Sequence, residues 1–358
     1  SGPADSIYAV QQSREPLDIR LGMGSTLAAF VAASGGGSVG QYGPLVHFGA
    51  TMTEILLKYI RIKIDRRVFI ACGVAGAISA GFNAPIAGVL FAHEALLRRI
   101  SVGAIAPIAI TSIVAYAANQ AFFNIEPTFS VPDMPIELQP LIPFLIMTAF
   151  LSAASAVAYM AAIRKGRELA TRSQWSMPKL IFSCVLVVGC VGVVLPDITG
   201  LGLTQVNQMI DGQFTLGMLV ILLAAKIFVT AYCLNTGFFG GVFGPALFVG
   251  AATGAIAAYL AVMMGLAPHL SYALPVAAIA AVGGAVIGAP LAVIMIVIEL
   301  TGSYAYGLSA MLCVILCSVL TLRLFGLSYF DRQLLDRGID LRLGQEHVEL
   351  SLTPVSEI

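Results

Sequence analysis

Charge is what this sequence has least of. Only 11% of its 358 residues are Asp, Glu, Lys or Arg, while 58% are hydrophobic; a soluble domain carries roughly 25% charged residues. That shortage excludes a disordered chain and an ordinary soluble enzyme, and leaves an all-α polytopic membrane protein. No sign of charge dominates, since 19 Lys+Arg face 19 Asp+Glu, so nothing recruits nucleic acid. Cys72, Cys184, Cys190, Cys233, Cys313 and Cys317 all lie in apolar runs. Their spacing suits neither a zinc site nor a disulfide framework, and they read as small packing residues. The chain opens at Ser1 without a Met or signal peptide, which reads as part of something longer.

Residues 227–298 contain no Asp, Glu, Lys or Arg, a stretch far longer than the roughly 20 residues of one span. It must fold back several times. Shorter charge-free runs are 100–125, 138–163, 180–196 and 300–322. Gly35–Gly37, Gly240–Gly241 and Gly283–Gly284 sit where an uninterrupted helix would carry Leu. Breaks at membrane depth survive only where protein or an aqueous cavity satisfies the freed backbone groups. Many short, tilted and broken helices are expected. Cations collect at Arg61, Lys63, Arg66 and Arg67, at Arg98 and Arg99, and at Arg164, Lys165, Arg167, Arg172 and Lys179. The positive-inside tendency puts all three clusters on the cytoplasmic side.

Two segments share one pattern. Gly40-Gln41-Tyr42-Gly43-Pro44 and Gly241-Val242-Phe243-Gly244-Pro245 both read G-x-x-G-P, with Gly49-Ala50 and Gly250-Ala251 following at equal spacing. Downstream, Ala84-Pro85 leads to Glu94 and Ala289-Pro290 leads to Glu299, each Glu nine residues after its Pro. The offsets are 201 and 205 residues, so four anchors in register describe an internal repeat. We divide the chain into a first repeat at 1–172, a second at 173–330 and a cytosolic tail at 331–358.

Each G-x-x-G-P is a helix start with Pro in the first turn, here inside a long apolar run. A helix N-terminus offers unpaired N–H groups and about half a positive charge, and the natural partner is an anion. Two such starts, related by a repeat, make an anion cradle free of Lys and Arg. Ser1-Gly2-Pro3 is a third start of this kind. His93-Glu94 lacks the second His of an H-E-x-x-H metal site, and nothing calls for a metal or cofactor. We read Glu94 as a carboxylate bonded to backbone amides, with a proton relay as the alternative. His47 and His269 read as packing or interfacial groups.

These residues resemble the CLC family of chloride channels and transporters. Its filter signatures G-S-G-I-P, G-K/R-E-G-P and G-x-F-x-P are similar to Ser1-Gly2-Pro3, Gly40 to Pro44, and Gly241 to Pro245. Ala80 to Pro85 with Gly88 to Phe91, Ala289 to Thr301, and Ser328 to Asp331 before Arg337-Gly338 also match. The resemblance implies an inverted two-fold repeat, chloride (with other halides) as the transported ion, a homodimer in a lipid bilayer and, for this chain, a bacterial inner membrane. It implies that helices precede Ser1, and that Leu352 to Val355 lead into a cytosolic CBS domain pair. Chloride contacts carry over to the Ser1 hydroxyl, the amides of Val242 and Phe243, and a filter position at Phe330, or at the adjacent Tyr329. Tyr42 stands where the family has its gating Glu, and Ala95 where the antiporters have their internal proton Glu. These replacements imply passive chloride transport without proton coupling. The alternatives are an antiporter with another proton route, through His93 and Glu94, and a regulatory member plugged by Tyr42. No Ser/Lys, Asp/Asp or Cys/His pair supports an enzyme.

Overall fold

The structure, a computed structural model, describes residues 2–11, 17–60, 64–123, 129, 131–132, 136–336 and 338. Every named element among them is helical, and pairing of extended chain is limited to one isolated antiparallel bridge, Gly40 with Gly241. The α-helices are α1 (Pro3–Gln11), α2 (Ile19–Ser34), α3 (Tyr42–Tyr59), α4 (Arg66–Phe82), α5 (Pro85–Phe91), α6 (Val102–Phe123), α7 (Leu138–Arg172), α8 (Met177–Val194), α9 (Leu203–Ile210), α10 (Leu216–Asn235), α11 (Phe243–Met263), α12 (Ala273–Ile287), α13 (Pro290–Thr301), α14 (Tyr304–Phe325) and α15 (Tyr329–Leu335). A π-helical turn, Ala92–Leu97, extends α5. Among the described residues, seven helical segments are long and apolar enough to cross a membrane; the segments Ile19–Ser34, Pro85–Leu97 and Pro290–Thr301 are apolar but shorter.

The core sits on α11 and α12. Every residue of α12 is buried, as expected of a helix that is apolar all round. In contrast, α6 and α8 bury only a few residues each, so most of their large apolar side chains face outward. The helix order repeats: α3 packs on α4 and α4 on α5, as α11 packs on α12 and α12 on α13.

Three details depart from the sequence-based expectations. Gly283 and Gly284 do not break a helix; they lie inside α12. A Cβ on Gly283 would come within 2.9 Å of the Phe243 ring, so this glycine makes room for an aromatic side chain rather than for a turn. α7 is not short: it runs 35 residues, because 138–163 contains no glycine and its prolines, Pro140 and Pro143, fall near the helix start. Finally, the expected boundary at 331 falls inside α15, which packs against α1 and α12. Asp331 pairs with Arg98 just after the π-helical turn, and the Ser328 hydroxyl caps α15 by accepting from the Asp331 N–H.

Candidate functional site

The two G-x-x-G-P segments meet head to head. Gly40 N–H donates to Gly241 O and Gly241 N–H to Gly40 O, both at 2.7 Å, so a local two-fold relates the starts of α3 and α11. The approach leaves no room for a side chain. A Cβ on Gly241 would lie 2.8 Å from Gly43 N, and one on Gly40 would lie 2.8 Å from Gly244 N. Gln41 and Val242 occupy the N-cap positions, and neither supplies a side-chain cap. Both helices therefore point uncapped N-termini at the same central region. The Val242 carbonyl is held from behind by the Tyr159 hydroxyl of α7 at 2.8 Å.

Beside these starts lies a cavity of about 30 Å³, room for about two water molecules. Pro3, Tyr42, Gly43, Phe82, Phe243 and Phe330 form much of its wall, closed by Ile7, Val46, Ile78, Phe91, Leu96, Ile287 and Ile296. Tyr42 is 3% exposed. Its ring stacks on Phe82 with centroids 3.8 Å apart and stands edge-on to Phe243 at 5.9 Å, both favourable aromatic geometries.

The expected site residues thus separate into groups. Gly40, Gln41, Tyr42, Gly43, Gly241, Val242, Phe243 and Gly244 come together, with Pro44 and Pro245 in the first turns of their helices. Pro3 reaches the cavity from the start of α1, where the Gly2 N–H is taken by Asp5 Oδ2 at 2.6 Å, so this third start carries its own cap. Ser1 lies outside the described residues. Phe330 faces the cavity. Tyr329 does not; it lines a separate cleft against another face of α15, where its hydroxyl accepts from Gln333 Nε2 at 2.9 Å. Ala95 is buried within the π-helical turn. Phe82, which stacks on Tyr42, carried no periodicity that marked it out.

The carboxylates of the repeat are committed elsewhere. Glu94 accepts from Leu291 N–H at 3.1 Å and Ala292 N–H at 2.8 Å, while Glu299 accepts from Ile86 N–H at 2.8 Å and Ala87 N–H at 2.7 Å. Each Glu caps the first turn of the other half's helix, α13 or α5, where Ala289 and Ala84 offer no side-chain cap. Lys226 is a second feature the sequence hid. It is wholly buried, donates at 3.0 Å to both Ile198 O and Gly200 O, and lies 4.7 Å from the Phe248 ring centroid. Its one signal is its place immediately before the charge-free run from 227.

A sequence model of the voltage gated chloride channel family matches residues 1–322. The chain belongs to that family. A putative chloride channel protein, ClcB-like, of Ralstonia nicotianae is 26% identical over 76% of this chain and 66% of its own length. The H(+)/Cl(-) exchange transporter ClcA of Vibrio cholerae is 31% identical over 62% of this chain and 49% of its own. The chain thus spans about half to two thirds of the length of these relatives. Among solved structures, a slow cyanobacterial Cl-/H+ antiporter superposes with a TM-score of 0.83 over 94% of this chain and 80% of that one, at 19% identity. A CLC-type fluoride/proton antiporter superposes at 0.75 over 88% and 79%, at 21% identity. The shared fold is the all-α architecture described above.

Proposed function

We propose that this protein is a passive transmembrane pathway for chloride that moves no protons. The ion passes the helix starts at Tyr42 and Phe243 and is held by oriented amides rather than by a Lys or Arg, whose full charge would slow its release. The observation that carries this reading is the absence, among the described residues, of a carboxylate on the central cavity. Tyr42 fills the gating position with a phenol whose reference pKa is about 10, and Ala95 cannot relay a proton. Glu94 and Glu299 are occupied as caps. Tyr42 stacked on Phe82 is the gate, and its ring must move for an ion to pass. The protein works as a homodimer in the bacterial inner membrane, in line with the bacterial sources of the ClcB-like and ClcA relatives.

Chloride-loaded liposomes carrying the protein, with potassium permeability set by valinomycin, test this directly. Chloride efflux with no accompanying pH change is expected. Proton movement in fixed ratio to chloride would overturn the reading in favour of exchange. Absence of both, with efflux appearing in Tyr42→Ala, would identify a plugged member.

A further inference from the structure

A basic cleft lies away from the anion cradle, across α15 from it. α7 contributes Arg164 and Arg167, α15 contributes Arg332, and the walls enclose about 410 Å³. Arg164 and Arg332 both sit over the Phe325 ring, their guanidinium carbons 5.6 and 5.7 Å from its centroid. One aromatic face therefore gathers cations from two helices. Among the described residues Asp336 is the only acid in the cleft wall, and Glu168 touches Arg164 from outside it at 4.0 Å. Arg332 Nε is buried without a hydrogen-bond partner. A buried guanidinium N–H without an acceptor costs free energy, and an anion seated among the three cations would supply that acceptor.

The cleft adjoins an apolar groove of about 400 Å³ between α7, α8 and α10. Ala170, Leu180 and Asn235 line both. Leu169, Trp175, Phe228 and Tyr232 line the groove, and Lys165 stands at its edge. The position along α7 fixes the depth. Its 35 residues span roughly 52 Å at the α-helical rise, more than the roughly 30 Å of bilayer hydrocarbon. Its charge-free part ends at residue 163, so Arg164 begins the headgroup level. Trp175, the one tryptophan of the chain, is half exposed there, as interfacial aromatics are.

We propose that this cleft and groove bind an anionic phospholipid, its phosphate between Arg164, Arg167 and Arg332 and an acyl chain along the groove between α7, α8 and α10. Arginine forks match phosphate oxygens bidentately, and basic pockets between helices at headgroup level are the recognised form of such a site. The apolar continuation selects a lipid over a soluble phosphate. The site shares no cavity-lining residue with the chloride cradle, so it stands apart from the transport reading.

The test is thermal unfolding of the purified protein in a neutral detergent with phosphatidylglycerol, phosphatidylcholine or inorganic phosphate, alongside native mass spectrometry. Phosphatidylglycerol should raise the midpoint by roughly 5 °C at saturation and leave a lipid adduct; the other two should do neither. Arg167→Gln and Arg332→Gln should abolish the shift, while Arg20→Gln on α2 should keep it. Ala170→Trp, which fills the junction without touching a charge, should also abolish it and covers the case in which an arginine variant fails to fold. An equal shift with phosphatidylcholine, an equal shift with phosphate alone, or an unaltered shift in the folded variants would each overturn the proposal.

Discussion

Replacing Glu94 or Glu299 separates a structural carboxylate from a proton carrier. Each accepts two backbone N–H bonds of 2.7–3.1 Å from the first turn of a helix in the other half. A hydrogen bond to a charged group contributes about 1.5–3 kcal/mol, and a charge at a helix N-terminus adds about 0.3–1 kcal/mol. Truncation to Ala removes both bonds and leaves the α5 or α13 amides unpaired, a loss of about 3–5 kcal/mol. Gln keeps one neutral acceptor, turns an N–H₂ toward a backbone N–H, and should cost about 2–3 kcal/mol. Because α5 and α13 pack on each other, the double variant should cost less than the sum of the singles. Thermal unfolding in detergent reads the stability, and the paired chloride and pH recording reads the transport. Unchanged stability in Glu94→Gln together with altered proton movement would refute the capping argument and restore Glu94 as a relay.

Four further outcomes follow, three from the cradle and one from Lys226. Tyr42→Ala should raise chloride efflux by removing the ring stacked on Phe82, while Tyr42→Phe should match the parent; equal weakening of chloride binding in both, by isothermal titration, would assign the role to the hydroxyl instead. Tyr42→Glu places a carboxyl of reference pKa about 4.3 at the gate; charged it competes with chloride and neutral it withdraws, so efflux should rise as external pH falls, and a pH-flat efflux would count against the assigned position. Gly241→Ala sets a Cβ 2.8 Å from Gly43 N, so the bridge should open, with lower thermal stability and reduced efflux. Lys226→Met keeps the side-chain length but leaves Ile198 O and Gly200 O without their donor, at a cost of about 1–3 kcal/mol, readable by thermal unfolding at unchanged protein yield.

The sequence by itself determined the class of the molecule and the position of its two central helix starts. Scarce charge demands a membrane, and Gly-Pro pairs inside apolar runs demand helix N-termini there, because glycine permits the close approach and proline lacks the N–H that a first turn leaves unpaired. The offset between the motifs also made their relation as a repeat legible, while the bridge between Gly40 and Gly241 is a finding of the structure. Only the tertiary structure decided what those starts face. Adjacent residues of a helix point about 100° apart, so the rotation of α15 alone sends Phe330 to the cavity and Tyr329 to the basic cleft. No local pattern relates Tyr42 to Phe82 or seats Phe243 against Gly283, since these contacts depend on how α3, α4, α11 and α12 pack. The exchange of Glu94 and Glu299 between halves is likewise invisible along the chain: a carboxylate bonds whichever free amides the fold carries to it, and here those amides lie about two hundred residues away.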